Sequence, residues 1–320
     1  MRAYQISDLS QPGDLRQVAP RRPAKGEVLL SVKACGLNFA DLLLAKGQYQ
    51  ERPELPFTLG MEPAGEVLAT GEGVALPKGA RVMAFAPHGG LAEQAVVPAS
   101  ACTLIPDVMS YEEAAAFQVA YGTAHVALNH RAGLKRGETL LVLGAAGGVG
   151  LTAVEIGKLM GARVIACARG ADKLAVCAAA GADHLIDSEA DDLRAEVTAL
   201  GGADVVYDPV GGAQFSAALR ACKPEARMVV VGFASGEVPP IPANILLVKN
   251  ISVLGYYWGG YLAFRPEILR ESQAELLDWY MAGKLRPHIS HTLPLDEARA
   301  AYALLSSRKS TGKVVVTVGT

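Results

Sequence analysis

Leu140-Leu141-Val142-Leu143-Gly144-Ala145-Ala146-Gly147-Gly148-Val149-Gly150 carries four apolar residues into a glycine-rich turn and out into an alanine-rich segment with helical spacing. A buried strand, a sharp turn and a helix are what that order specifies. Glycines ahead of a helix leave its first N–H groups open to an anion, and the helix dipole favours a pyrophosphate there. The spacing is G-x-x-G-x-x-G rather than G-x-G-x-x-G, so the letters alone are a weak match and the surrounding pattern decides. The alternative is that the glycines only let helix and strand pack closely.

Downstream, short apolar runs alternate with helical stretches. The runs are Thr139 to Leu143, Arg163 to Cys167, His184 to Ile186, Asp204 to Tyr207, Arg227 to Val231 and Ile251 to Gly255. Helical segments such as Val149 to Met160 and Asp172 to Ala180 lie between them. This alternation predicts a doubly wound α/β domain whose parallel sheet is covered on both faces. The first 121 residues read differently, as short strands at Glu27 to Ala34, Gly65 to Ala69, Arg81 to Ala84 and Ala92 to Val97, punctuated by Pro and Gly. An irregular, mainly antiparallel barrel-like domain is expected there. Helices at Glu267 to Met281 and Asp296 to Ser306 follow the second domain, and the closing strand after Gly312 is expected to rejoin the first. The expected domains are therefore nested, with 122–258 inserted between 1–121 and 259–320.

At the end of the second strand of the doubly wound domain an NAD site places an acid on the ribose hydroxyls. Here Ala168 stands at that position, followed by Arg169 and, four residues on, Lys173. Two cations without an acid suit the 2′-phosphate of NADPH, so NADPH is the expected cofactor; two solvated surface cations are the plainer reading.

Composition narrows the function. Lys and Arg total 30 against 32 Asp and Glu, a formal charge of −2, which argues against nucleic acid as the ligand. The longest uncharged run, 114–130, contains Gln, Thr, Asn and two His and is too short and polar to span a bilayer. Arg2, Asp8 and Asp14 interrupt the first residues, so no secretory signal is read and a cytoplasmic location is expected. Five cysteines, at 35, 102, 167, 177 and 222, form no C-x-x-C pair and read as buried reduced thiols.

Taken in order, Cys35-Gly-Leu-Asn38-Phe39-Ala-Asp41, Gly60-Met61-Glu62-Pro-Ala-Gly65-Glu-Val, Ala120-Tyr-Gly-Thr123-Ala, the Gly144 to Gly150 turn, Gly181-Ala-Asp-His, Val206-Tyr-Asp208-Pro-Val-Gly211-Gly and Gly312-Lys313-Val resemble the medium-chain dehydrogenase/reductase superfamily. Within it the chain resembles the zinc-free quinone oxidoreductases typified by zeta-crystallin. The resemblance implies a Rossmann domain inserted in a GroES-like substrate domain. Zinc enzymes of the superfamily carry Cys at the position of Asn38 and His at that of Met61, so their metal site cannot be assembled here. None of the six histidines (88, 125, 130, 184, 288, 291) has metal-ligand spacing.

The resemblance also implies roles for residues. Asn38 would turn its amide to substrate or nicotinamide, with capping of the Phe39 to Lys46 helix as a compatible role. Tyr49 would line the pocket, with its hydroxyl near the substrate oxygen, or merely pack. Thr123 and Gly232-Phe233-Ala234 would meet the nicotinamide half of the cofactor, and Gly144, Gly147, Gly148, Val149 and Gly150 its pyrophosphate. Ser188 stands where relatives use an aromatic near the adenosine phosphate, and Lys313 would reach the cofactor. Trp258, closing the Tyr256-Tyr257-Trp258 cluster, either roofs a planar substrate or wedges a hinge. The apolar edge strand 251–255 invites a second copy, so a homodimer is expected. The expected reaction is metal-free hydride transfer from NADPH to a quinone. Reduction of an enone or enoyl thioester is the alternative, and a cofactor-bound binding or structural protein is a third reading.

Overall fold

In a computed structural model, residues 1–319 are described. They form two compact units, Met1–Val119 with the residues from Pro287 onward, and Ala120–Arg286.

The first unit opens with β1 (Arg2–Ile6), β2 (Asp14–Gln17), β3 (Glu27–Gly36), α1 (Phe39–Ala45), β4 (Phe57–Thr58), β5 (Glu62–Thr70), β6 (Arg81–Ala84), β7 (Gln94–Pro98), β8 (Cys102–Leu104) and α2 (Tyr111–Ala115). In β3, Val28, Leu30, Val32 and Ala34 are buried while the residues between them are half-covered, the period of two that a one-sided sheet requires.

The second unit begins within α3 (Gln118–His125), at Ala120. Its order is β9 (Thr139–Leu143), α4 (Gly148–Leu159), β10 (Arg163–Ala168), α5 (Gly170–Ala179), β11 (His184–Asp187), α6 (Leu193–Ala199), β12 (Ala203–Asp208), α7 (Gly212–Ala221), β13 (Cys222–Val230), α8 (Ala243–Lys249), β14 (Ser252–Gly255), α9 (Tyr261–Phe264) and α10 (Pro266–Met281). Every residue of β9 is buried, as befits a central parallel strand covered on both faces. The chain then returns to the first unit as β15 (Ile289–Pro294), α11 (Ala298–Ser306) and β16 (Lys313–Thr317).

The six parallel strands lie in the order β11-β10-β9-β12-β13-β14, reversing direction of growth between β9 and β12. Ligands of such sheets bind at the carboxyl ends of the strands beside that switch. In the first unit the expected barrel takes the form of a seven-stranded sheet, β15-β16-β3-β5-β6-β8 with β7 also on β3, and a small sheet β2-β1-β4. All its pairings are antiparallel except β15 with β16.

The sequence reading groups 259–286 with the chain ends, whereas by its contacts this segment belongs to the second unit. The reason is packing: Ser272 on α10 lies 2.8 Å from His125 Nδ1, and Trp279 meets the same imidazole edge-on at 5.2 Å.

Candidate active site

At the carboxyl end of β9 the chain turns through Gly144, whose φ of +57° lies in the left-handed region. Gly150 faces the same turn so closely that a Cβ there would stand 2.3 Å from the Gly144 carbonyl oxygen. α4 therefore starts tight against the strand. Gly147 is its N-cap, with no side-chain hydrogen bond to the first turn and no acid in it. A Cβ at Gly147 would meet nothing nearer than the Gly144 oxygen at 3.4 Å. Gly148, Val149 and Gly150 thus begin a helix whose first turn has neither a side-chain cap nor an acid, the kind of helix start whose N–H groups suit an anion.

Two neighbouring turns complete this edge. Asp208, ending β12, is buried and accepts N–H bonds from Val210 (2.7 Å) and Gly211 (2.9 Å), and burial raises its carboxyl above the usual range. The Gly232-Phe233-Ala234 turn follows β13 and is tied to the β12 turn by the Ala234 N–H bond to the Pro209 carbonyl (3.0 Å). Val210 and Pro209 in turn lie against Gly144. Thr123 is buried on α3, and Trp258 packs on the adjacent Gly122, where a Cβ would come within 2.9 Å of the indole nitrogen.

Beside them, β10 ends at the buried Ala168, and Arg169 caps α5. Ser188 donates its N–H to the Ala168 carbonyl (2.9 Å), which brings the turn after β11 next to Arg169. Lys173 is half-buried one turn into α5. The structure therefore collects the glycine turn, Arg169, Lys173, Ser188 and Gly232–Ala234 at one end of one sheet.

The first unit assembles a second group. β3 lies between β16 and β5, with Gly36 paired to Val315 on one side and Glu62 on the other, so Asn38 emerges between Lys313 and Glu62. Lys313 Nζ donates to Asn38 Oδ1 and to Glu62 Oε2, each at 2.8 Å, and Asn38 Nδ2 donates to Glu62 Oε2 at 3.1 Å. The Val119 N–H bonds Glu62 Oε1 at 2.7 Å. Lys313 is 5% exposed and Glu62 fully buried. The amide orientation of Asn38 follows from its partners: oxygen to the ammonium, nitrogen to the carboxylate.

Asn38 occupies the N-cap of α1 in a capping box with Asp41, and its side chain also meets Lys313 and Glu62. The Asp41 carboxylate accepts from the backbone N–H groups of Asn38 (2.8 Å) and Gly60 (3.3 Å). Burial pushes Asp41 up to about 7, outweighing those two hydrogen bonds and Lys313. Tyr49 lies half-buried in the loop between α1 and β4.

Glu62 is a site residue that the motif reading does not single out. An acid heading the otherwise apolar Glu62-Pro-Ala-Gly65 is the signal that could have found it. Met61 is buried in the core, and among the described residues no three His, Cys, Asp or Glu side chains group to hold a metal.

A dinucleotide-type sheet edge on one unit and a half-buried amide held by a buried ammonium and carboxylate on the other define an oxidoreductase of the two-domain dehydrogenase type. Residues 24–107 match the alcohol dehydrogenase GroES-like domain family, and 148–277 the zinc-binding dehydrogenase family. The chain is 43% identical to a quinone oxidoreductase-like protein 2 homolog of Nematostella vectensis, over 91% of this chain and 81% of that protein. Against quinone oxidoreductase-like protein 2 of Bos taurus the identity is 41% over 99% and 92%. The crystal structure of Escherichia coli quinone oxidoreductase complexed with NADPH superposes with a TM-score of 0.92 at 28% identity, covering 99% of this chain and all of that one. The Thermus thermophilus quinone oxidoreductase, also solved in complex with NADPH, gives 0.88 at 36%, with the same coverage. The chain belongs to the quinone oxidoreductase-like branch of the medium-chain dehydrogenase/reductase superfamily.

Proposed function

We propose that this protein reduces a quinone with NADPH and uses no zinc. The observation that carries the reading is the Lys313–Asn38–Glu62 group. At the position where the superfamily's metal enzymes hold zinc by thiolate and imidazole, this chain has an amide clamped between an ammonium and a carboxylate. NADPH, when bound, supplies the hydride. The N–H groups opening α4 suit its pyrophosphate, and Arg169 and Lys173 suit its 2′-phosphate, while Thr123, Ser188 and Gly232–Ala234 are the remaining cofactor residues. The NADPH complexes of the E. coli and T. thermophilus relatives support that cofactor.

A quinone carbonyl that gains hydride develops negative charge on oxygen, and the chain's task is to meet that charge. Asn38 Nδ2 spends one N–H on Glu62 and has a second to offer. Lys313 and Glu62 fix the direction of that N–H, so Lys313 positions Asn38 and keeps a third donor for the cofactor contact expected of it. Tyr49 supplies a hydroxyl for the substrate.

Decrease of NADPH absorbance with a naphthoquinone, an enone and crotonyl-CoA tests the reading. The naphthoquinone is expected to turn over fastest, with kcat lowered about 10²-fold in Asn38→Ala. Crotonyl-CoA as the best substrate would make the chain a double-bond reductase, and turnover of none would make it a binding protein. Tyr49→Phe with full turnover would remove that hydroxyl from the mechanism.

The assembly expected is a homodimer. β14 is an edge strand, and Val238, Ile241, Leu247 and Val248, all in the segment leading into it, are exposed. A reducing, cytoplasmic setting fits the five cysteines, all of which are free. No described helix is long and apolar enough to cross a membrane.

A further inference from the structure

β10 and β11 run side by side to their ends, with Ala168 opposite Asp187. Asp187 Oδ1 accepts the N–H groups of Gly170 and Glu189, each at 3.1 Å, binding the turn after β11 to the first residue of α5. These bonds bring Glu189 to Arg169, with Oε1 3.2 Å from Nε. The cation proposed for the 2′-phosphate therefore already faces a carboxylate of its own chain. Both side chains are open to solvent, 49% for Arg169 and 66% for Glu189, so the pair is exchangeable rather than locked.

We propose that Glu189 is a specificity-determining residue that narrows the preference for NADPH over NADH. This rests on the assignment of Arg169 to the 2′-phosphate. A phosphate arriving at Arg169 must share the guanidinium with the Glu189 carboxylate, which holds Nε, and so stands beside its negative charge, a repulsion that little burial leaves screened but present. NADH brings ribose hydroxyls instead. Those donate to carboxylates, and Glu189 offers one from the neighbouring turn where Ala168 leaves the end of β10 without an acid. The same residue thus opposes one cofactor and tolerates the other.

Dissociation constants of NADPH and NADH, measured by fluorescence titration of the purified full chain, test this without turnover. Glu189→Gln keeps the shape and removes the charge. It is expected to raise the NADH/NADPH ratio of dissociation constants about three- to tenfold, and less at high salt. In an Arg169→Ala background the same change is expected to lose most of its effect. An unchanged or lowered ratio in Glu189→Gln overturns the proposal if Arg169→Ala still weakens NADPH alone. If Arg169→Ala leaves NADPH affinity intact, the phosphate assignment itself fails and the proposal with it. Equal thermal midpoints of the variants, read in the same samples, confirm that folding does not cause the shift.

Discussion

Lys313, Asn38 and Glu62 are linked by three hydrogen bonds, with the ammonium and the carboxylate buried and the amide half-buried beside them, which makes each dependent on the others. A buried ion pair often adds little net stability, yet removing one partner strands a charge and costs about 3–5 kcal/mol. Lys313→Met is expected to lower stability by that order in chemical denaturation. Lys313→Met with Glu62→Gln is expected to recover much of the loss while turnover stays low, because Asn38 has lost its orientation. Asp41 carries a different signature. Unfolded, its carboxyl titrates near the usual 3.8, and folded at about 7, because burial disfavours the anion. Between those values the folded protein holds a proton that the unfolded chain has released. The contribution is therefore complete below the lower value and is lost as pH rises through the upper one. The urea midpoint is expected to fall as pH rises from about 3.8 to about 7 and to level off above it, with a shallower fall in Asp41→Asn. An identical pH profile in that variant would assign the titration elsewhere.

α4 shows how little room the glycine turn has. Alanine is worth about 1 kcal/mol more than glycine inside a helix, so propensity alone would make Gly150→Ala stabilising. A Cβ 2.3 Å from the Gly144 oxygen reverses that sign, since backbone must move to admit it. Gly150→Ala is expected to be destabilised by about 1 kcal/mol or more and to lose NADPH affinity in titration, whereas Gly147→Ala, with 3.4 Å of clearance, is expected to keep its fold. Most elements of this unit are legible in the sequence because the inner parallel strands carry short apolar runs ended by a turn, and Thr139–Leu143 has the bounds read from the letters, whereas β13 begins at Cys222, ahead of the run read at Arg227 to Val231. In the first unit Arg81–Ala84 does too. β1, β2, β4, β8 and β15 carry no such mark. They are short or half-exposed, and their place is set by partners far along the chain, as when Phe57 and Thr58 pair with Ile6 and Gln5. For the same reason Asn38 and Lys313 are each visible as motif residues, but not Glu62 as the side chain joining them. Sheet register supplies that contact, and no local spacing encodes it.

At the scale of the whole molecule the exposed strand edge dominates. Leu247 and Val248 on α8 are each nearly four-fifths exposed, and β14 leaves one row of backbone groups unpaired. Open edges of this kind promote association. A second copy pairing along β14 is expected to sediment as a dimer at micromolar concentration, and Leu247→Asp with Val248→Asp to shift it toward monomer with each subunit still folded. A wild-type chain that sediments only as monomer would remove the assembly.

The order of synthesis gives the last strand another importance. Glu62 leaves the ribosome 251 residues before Lys313, after which the entire second unit must be made. Until then β3 lacks β16 along Ala34–Gly36, and the carboxylate of Glu62 has no cation to accompany it into a core. The second unit has all six of its sheet strands within 139–255 and can close while the first still waits. The residue that orients the proposed catalytic amide is thus also the one whose arrival completes the first unit, so a nascent chain cannot acquire activity before its fold is finished.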